Sequence, residues 1–218
     1  EAAKFVCLIA RDSAYLNRHK EITLRNWSYH DIRDVDVDKY VLSAEELVKR
    51  GYYVFRMGAK VKKPLVSSNH KIIDYATSEK KSAFMDIYLG AKCNFCISSG
   101  TGFDGITYIF RKPVAFTNLA EIGHLMSHNK NNLIITKSHV SKKNKKRLTI
   151  TEIFSLNLAL SMNNKSVSGE LKLSDIELKE NSPEEIRDLV IEMDERLNGG
   201  WKDTKEDLLL QKKFWSIF

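Results

Sequence analysis

Short, uninterrupted apolar runs, each stopped abruptly by a polar or glycine-bearing cluster, are the feature that most constrains this chain. Phe5-Val6-Cys7-Leu8-Ile9-Ala10 breaks at Arg11-Asp12-Ser13, and Tyr52-Tyr53-Val54-Phe55 runs into Arg56-Met57-Gly58. Phe95-Cys96-Ile97 leads into Ser98-Ser99-Gly100-Thr101-Gly102, and further runs follow at Val114-Ala115-Phe116 and Leu133-Ile134-Ile135. A strand with one wet face alternates apolar and polar residues. These runs do not alternate, so they read as strands buried on both faces, the pattern of a parallel sheet covered by helices.

The stretches between them carry helical spacing. Tyr40, Val41, Ala44, Leu47 and Val48 recur along one face ahead of Gly51, a C-terminal stop. Residues 83–91 read as a helix, as do 103–110, with Ile106, Tyr108 and Ile109 for packing, and 149–160, with Thr151 as its cap. Ser182-Pro183-Glu184-Glu185 is the clearest local signal: a serine N-cap, proline at N1 and a glutamate completing a capping box. The helix it opens presents Ile186, Leu189, Val190, Met193 and Leu197 on one face and ends at Gly199-Gly200. Residues 17–36, with Trp27 and His30, show no clean period and read as a long loop. Alternating strands and helices give an α/β class, a Rossmann-like, mostly parallel sheet with helices on both faces. One domain over 1–200 is expected, followed by a helical tail over 201–218 whose Leu208, Leu209, Phe214, Trp215 and Phe218 should dock on something. The start, Glu1-Ala2-Ala3-Lys4, has no initiator Met and reads as cut from a longer chain.

Composition narrows the partners. Net charge is +7 with a pI near 9.2, which favours anionic ligands or surfaces. Lys137, Lys142, Lys143, Lys145, Lys146 and Arg147 cluster around His139. Such a run reads as a solvated loop or, through Lys142 to Arg147, as a peripheral contact with an anionic membrane. No nucleic-acid-binding motif accompanies the charge, so no nucleic-acid partner is expected. Cys93 and Cys96 have CxxC spacing but lack a second ligand pair. With Cys7 they read as core thiols in a reducing compartment, hence a cytoplasmic location, with the inner face of the membrane within reach.

Ligands of open α/β sheets bind beyond the carboxyl ends of the strands, which is where the three polar clusters fall. Ser98, Ser99, Gly100, Thr101 and Gly102 offer hydroxyls and a backbone that a phosphate can approach, with Asp104 just beyond. Arg11 suits a diphosphate, being planar and always charged, although a salt bridge to Asp12 or Asp34 is the plainer alternative. Arg56 and Gly58 join the same edge. Asp12, His30 and Asp31 are the candidate bases for an acceptor hydroxyl. There is neither a Walker motif nor a GxGxxG after the first strand. Asp34-Val35-Asp36 and Asp36-Val37-Asp38 have DxD spacing but read as the acidic first turn of a helix, so no metal site is expected.

The blocks FVCLIARDSAYLN, WSYHDIRDVD, GYYVFRMG, FMDIYLGAKCNFCISSGTGFDGI, IFRKPVAFTN and ENSPEEIRDLVIEMDERL resemble a family of bacterial glycosyltransferases from surface-polysaccharide gene clusters. The similarity runs nearly to Trp201, with RDSAY and SSGTGFD its most specific parts. Family members are longer, so the resemblance implies a GT-B architecture of two Rossmann-like domains, with an N-terminal acceptor domain absent from this chain. It implies an inverting, metal-independent transferase in polysaccharide or lipopolysaccharide biosynthesis, with no cofactor. The donor would be a GDP- or UDP-linked nucleotide sugar, and the acceptor a glycan or lipid-linked glycan. A looser similarity runs to fucosyltransferases that use GDP-fucose; on that analogy Arg11 holds the diphosphate while Ser98, Ser99 and Thr101 line the donor site. One arginine followed by Asp12 stands where those enzymes often have two, leaving sugar and base open. A non-catalytic sugar-nucleotide or carbohydrate-binding module, or a basic membrane-surface adaptor, are the readings from other classes.

Overall fold

The computed structural model describes residues 3–23, 28–126, 129–156, 158–159 and 175–217; Trp27, Leu160 and Phe218 lie outside them. The apolar runs form one parallel sheet from β1 (Phe5–Ile9), β2 (Tyr53–Arg56), β3 (Ile72–Ile73), β4 (Cys96–Ser98), β5 (Val114–Leu119) and β6 (Leu133–Thr136). Its strand order is β3-β2-β1-β4-β5-β6, every pair parallel. This is the doubly wound order of a Rossmann-like sheet, with β1 central and the chain progressing outwards on either side of it.

Successive side chains of a strand point to opposite faces, and the two cores follow that rule. Val6, Leu8, Val54, Ile97 and Ala115 lie in one buried cluster, completed by Tyr40, Ala44, Leu47, Ile186, Leu189, Val190 and Met193. These last come from a 3-10 turn (Val37–Tyr40) and from α2 (Val41–Lys49) and α6 (Pro183–Asn198). Cys7, Cys96, Val114 and Phe116 belong to the second cluster, with Leu89, Cys93 and, partly buried, Met85, Phe103 and Tyr108. There the cover is α3 (Ala83–Lys92) and α4 (Asp104–Ile109). All three cysteines are buried, free and packed as core. Ser182 caps α6 in the expected box with Glu185, and Gly199 ends it in the left-handed conformation at φ +77.

Elsewhere the structure corrects the expectation. The stretch 17–36 is not a loop: α1 (Ala14–Thr23) and a 3-10 turn (Ser28–Arg33) occupy much of it. Among the described residues the turn is held by distant cations, which leave no local period in the sequence. Thr149, not Thr151, caps α5 (Ile150–Ser155), since only Thr149 makes the reciprocal box with Glu152. Ile109 is 76% exposed and Leu197 37%, so neither packs as foreseen. A second, two-stranded antiparallel sheet, β7 (Ser138–Ser141) with β8 (Ile176–Lys179), was not visible in the pattern. It buries Lys137 and His139, while Lys142 to Arg147 stay exposed. In the tail, α7 (Lys205–Trp215) buries no residue, and the docking expected of it is not seen among the described residues. None of the described helices is long and apolar enough to cross a membrane.

The bulged end of β5 is locked by a reciprocal pair. Asn118 N–H donates to Asn181 Oδ1 and Asn181 N–H to Asn118 Oδ1, each at 2.6 Å, while Asn118 Nδ2 donates to the Tyr40 hydroxyl at 3.1 Å. Asn118 sits at φ +55, a conformation asparagine tolerates better than most residues. Asn118→Ala leaves a buried amide unpaired and strains the backbone, so urea unfolding should show a loss of about 2–4 kcal/mol. A loss under half a kcal/mol, roughly the noise of a surface substitution, would mean the pair is incidental.

Candidate functional site

Register places the three polar clusters at one level of one sheet edge. Leu8 pairs with Arg56 and Ile9 with Ser98, so the chain leaves β1, β2 and β4 side by side. Between β1 and β4 the order of connections reverses, the point at which such sheets open a crevice. A pocket of about 460 Å³ lies there. Its walls come from Ala10, Arg11 and Asp12 after β1, Met57 to Val61 after β2, and Thr101, Gly102 and Phe103 after β4. Tyr15 and Leu16 of α1, His30 and Arg33 of the 3-10 turn, Asp86 of α3 and Ile106 of α4 complete it. The volume suits a small-molecule ligand, and the lining combines apolar side chains with a few convergent charges.

Arg11 is the most constrained of these groups. Its amide donates to Ser99 Oγ at 2.8 Å, and its carbonyl accepts from Val35 at 3.0 Å. Its Nη1 donates to the His30 carbonyl at 2.8 Å and pairs with Asp34, so the alternative salt bridge is present. Its Nη2 is buried without a hydrogen-bond partner. The side chain is only 10% exposed. Burial lowers its pKa, the Asp34 carboxylate pulls it back, and a guanidinium stays charged throughout. Arg33 donates from Nη2 to the Gly100 carbonyl and gives the pocket a second cation. Lys60 adds an exposed third. Burial, reinforced by Arg33 and Arg11, lowers the pKa of His30, so its imidazole is neutral at pH 7.

Arg11, Asp12, His30, Gly58, Thr101 and Gly102 therefore share the pocket. The other sequence candidates stand behind or beside it. Ser98 Oγ accepts from Gly100 N–H at 3.0 Å, so Ser98 and Ser99 shape the turn. Gly100 takes φ +79 there. Arg56 is fully buried, reaching Asp74 at 3.2 Å and Asp12 at 4.0 Å. Asp12 accepts from Ala14 N–H at 2.9 Å and Lys62 N–H at 2.8 Å, which fixes both carboxylate oxygens to backbone. Asp31 is exposed and does not line the pocket. Asp36 caps its 3-10 turn through Asp38 N–H, and Lys63 bridges Asp36 and Asp38 at 2.6 Å each, as an acidic helix start would have it. Arg33, Lys60 and Asp86 escaped notice: Arg33 lay in a stretch with no period, and Asp86 looks like an ordinary first-turn acid. Protein-family models, curated proteins and solved structures give no match to this chain.

Asp104 supports the Ser98–Gly102 turn from below, accepting from Thr101 N–H at 2.7 Å with the Ser98 hydroxyl beside it. Burial pushes its carboxyl up to about 6, against the pull of its hydrogen bonds and of Arg33. The folded chain thus holds this proton more tightly than the unfolded one. That stabilisation is complete below the ordinary carboxylate range and is lost as pH rises through about 6. Asp104→Asn keeps an acceptor for Thr101 and removes the buried charge. Above pH 7 its stability should exceed the parent's by roughly 2–3 kcal/mol, an advantage that disappears towards pH 4. Parallel denaturation curves across that range would contradict the assignment.

Proposed function

We propose that this domain binds a nucleoside-diphosphate sugar in the pocket at the β1/β4 crevice and is the donor-binding part of a glycosyltransferase. The observation that carries the reading is the buried, unpartnered Nη2 of Arg11 at the one point of the sheet where strand order reverses. Arg33 and Lys60 add charge for two phosphates, and the apolar walls Met57, Val61, Phe103 and Ile106 suit a base or sugar ring. Gly102 adds support. Its φ is not positive and a β-carbon there would meet nothing within 4 Å, so the fold does not require glycine, whereas a close ligand would. The resemblance of the RDSAY and SSGTGFD blocks to bacterial glycosyltransferases points the same way.

In this reading the acceptor oxygen bonds to the anomeric carbon as the bond from that carbon to the β-phosphate oxygen breaks. The leaving electron pair goes to the diphosphate, where Arg11 and Arg33 offset the growing charge. The acceptor proton goes to His30, the neutral base of the set. Asp12, whose two oxygens accept backbone hydrogen bonds, is the alternative base. That occupancy favours the second reading, a sugar-nucleotide-binding module without catalysis, which would bind the donor and never cleave it.

Calorimetry with GDP and UDP tests the first step, and donor cleavage followed by NMR separates the two readings. Arg11→Lys keeps a charge but loses the planar fork, and should weaken nucleotide binding about 10- to 100-fold. Gly102→Val should abolish binding with an unchanged melt, whereas Gly100→Ala, forced to φ +79, should cost about 1–2 kcal/mol of stability. If neither nucleotide binds, the donor reading fails; if Arg11→Lys and Gly102→Val bind as the parent does, the ligand lies elsewhere. Turnover should persist at pH 6.5 and fall only below the ordinary histidine range, the limb disappearing in His30→Gln. A limb at or above pH 7 would remove His30 as the base.

A further inference from the structure

The helices α3 and α4 leave an apolar face that no other described element covers. Phe84, Ile87 and Tyr88 recur at helical spacing along α3, 72%, 50% and 45% exposed, and the Phe84 and Tyr88 rings stack at 6.1 Å. α4 lies close against α3 through Gly90, where a β-carbon would come within 2.8 Å of Ile106. One turn beyond Ile106, Ile109 and Phe110 are exposed as well, at 76% and 46%. On the opposite side of the sheet the corresponding ground is filled by α2 packed on α6. Large exposed apolar side chains on two helices packed against one another mark an interaction surface.

Its rim identifies the partner. Lys92 lies one helical turn past Tyr88, Arg111 follows Phe110 directly, and Lys80 precedes the cap of α3; all three are exposed. Glu79 is the acid at that end, and the carboxylate-bearing Asp86 lines the pocket on another side of the helix. We propose that the α3–α4 face docks on an anionic lipid bilayer, its apolar residues entering the headgroup boundary while the flanking cations meet lipid phosphates. A second copy of the chain fits less well, because a twofold contact would set these cationic rims against one another. Asp86 and Ile106 belong to both helices and pocket, so docking would hold the pocket mouth beside the membrane plane. The inference stands whatever the pocket binds.

Co-sedimentation of the 218-residue chain with vesicles decides it. The chain should pellet with phosphatidylglycerol–phosphatidylcholine vesicles, less so at raised salt, and remain in solution with phosphatidylcholine alone. Phe84→Ser with Ile109→Ser should lower the partition coefficient roughly tenfold or more, with the thermal melt retained because both side chains are exposed. Lys92→Glu with Arg111→Glu should do the same without touching the apolar stripe. Lys143→Glu with Lys145→Glu, in the other basic cluster, should leave partition within about twofold. No binding to anionic vesicles overturns the proposal. So does binding insensitive to the α3–α4 variants, which would move it to the Lys142–Arg147 loop. Dimerisation of the parent chain that the apolar pair abolishes would assign the face to a second copy instead.

Discussion

Cations that bond backbone carbonyls hold the wall of the pocket in place. Among the described residues, the 3-10 turn Ser28–Arg33 is tied to the sheet by charged side chains. Arg11 reaches the His30 carbonyl, and Lys137 donates to the carbonyls of Ile32 at 2.9 Å and Asp34 at 2.6 Å. Arg33, from within the segment, reaches out to the Gly100 carbonyl. Each bond joins a full charge to a strong acceptor in a partly dehydrated place, where charge-assisted bonds exceed neutral ones roughly twofold. Lys137 shows what this costs: burial lowers its pKa, with Glu180 and Asp34 opposing. Without these contacts the crevice beside β1 would lose His30 and Arg33 together.

A second buried charge organises the other wall. Arg56 ends β2 with no exposed surface, and its two acidic partners spend their remaining lone pairs on the loop that follows. Asp74 Oδ2 accepts from Leu65 N–H at 3.1 Å and Asp12 Oδ2 from Lys62 N–H at 2.8 Å. Through these carboxylates the guanidinium anchors the loop at Lys62 and Leu65, while Lys81 holds its start at the Gly58 and Ala59 carbonyls. Replacing one member of such a group leaves an uncompensated buried charge, which is why it is destructive even where the intact group adds little net stability.

Legibility in the sequence divides along the same physical line. The sheet was readable because β1, β4 and β5 are buried on both faces and so carry unbroken apolar runs. The start of α6 was readable because Ser182, Pro183 and Glu185 each act within one turn. Local causes leave local signatures. The 3-10 turn over 28–33 was not readable, since its anchors lie far along the chain: Lys137 is 105 residues from Ile32. By the same token Lys137 and His139, which look like members of a solvated basic run, are buried, Lys137 just before the small second sheet and His139 within it. β7 and β8 are four residues each, and SHVS and IELK carry too few apolar positions to mark a strand. At the site, backbone positions such as Gly58, Thr101 and Gly102 were legible from strand ends. Arg33, whose place depends on tertiary bonds, was not.

Arg11 and Arg33 serve the fold and also line the pocket, and this couples the two. Arg11 satisfies Asp34 and the His30 carbonyl with Nη1 and leaves Nη2 without a protein acceptor. A buried donor left unpaired costs about 1–3 kcal/mol. Nη2 is closed to solvent, so an anion meets it only after the cover over it moves, and would then recover that cost while Asp34 keeps Nη1. Arg33 differs, because its Nη2 already bonds Gly100, and it can meet a ligand only by sharing that bond or giving it up. Of the two arginines, then, Arg11 has a donor to spare, while Arg33 would exchange one acceptor for another. Any ligand held by both ties the β1 end, the 28–33 turn and the Ser98–Gly102 turn into one unit, and by linkage stabilises all three in proportion to its affinity.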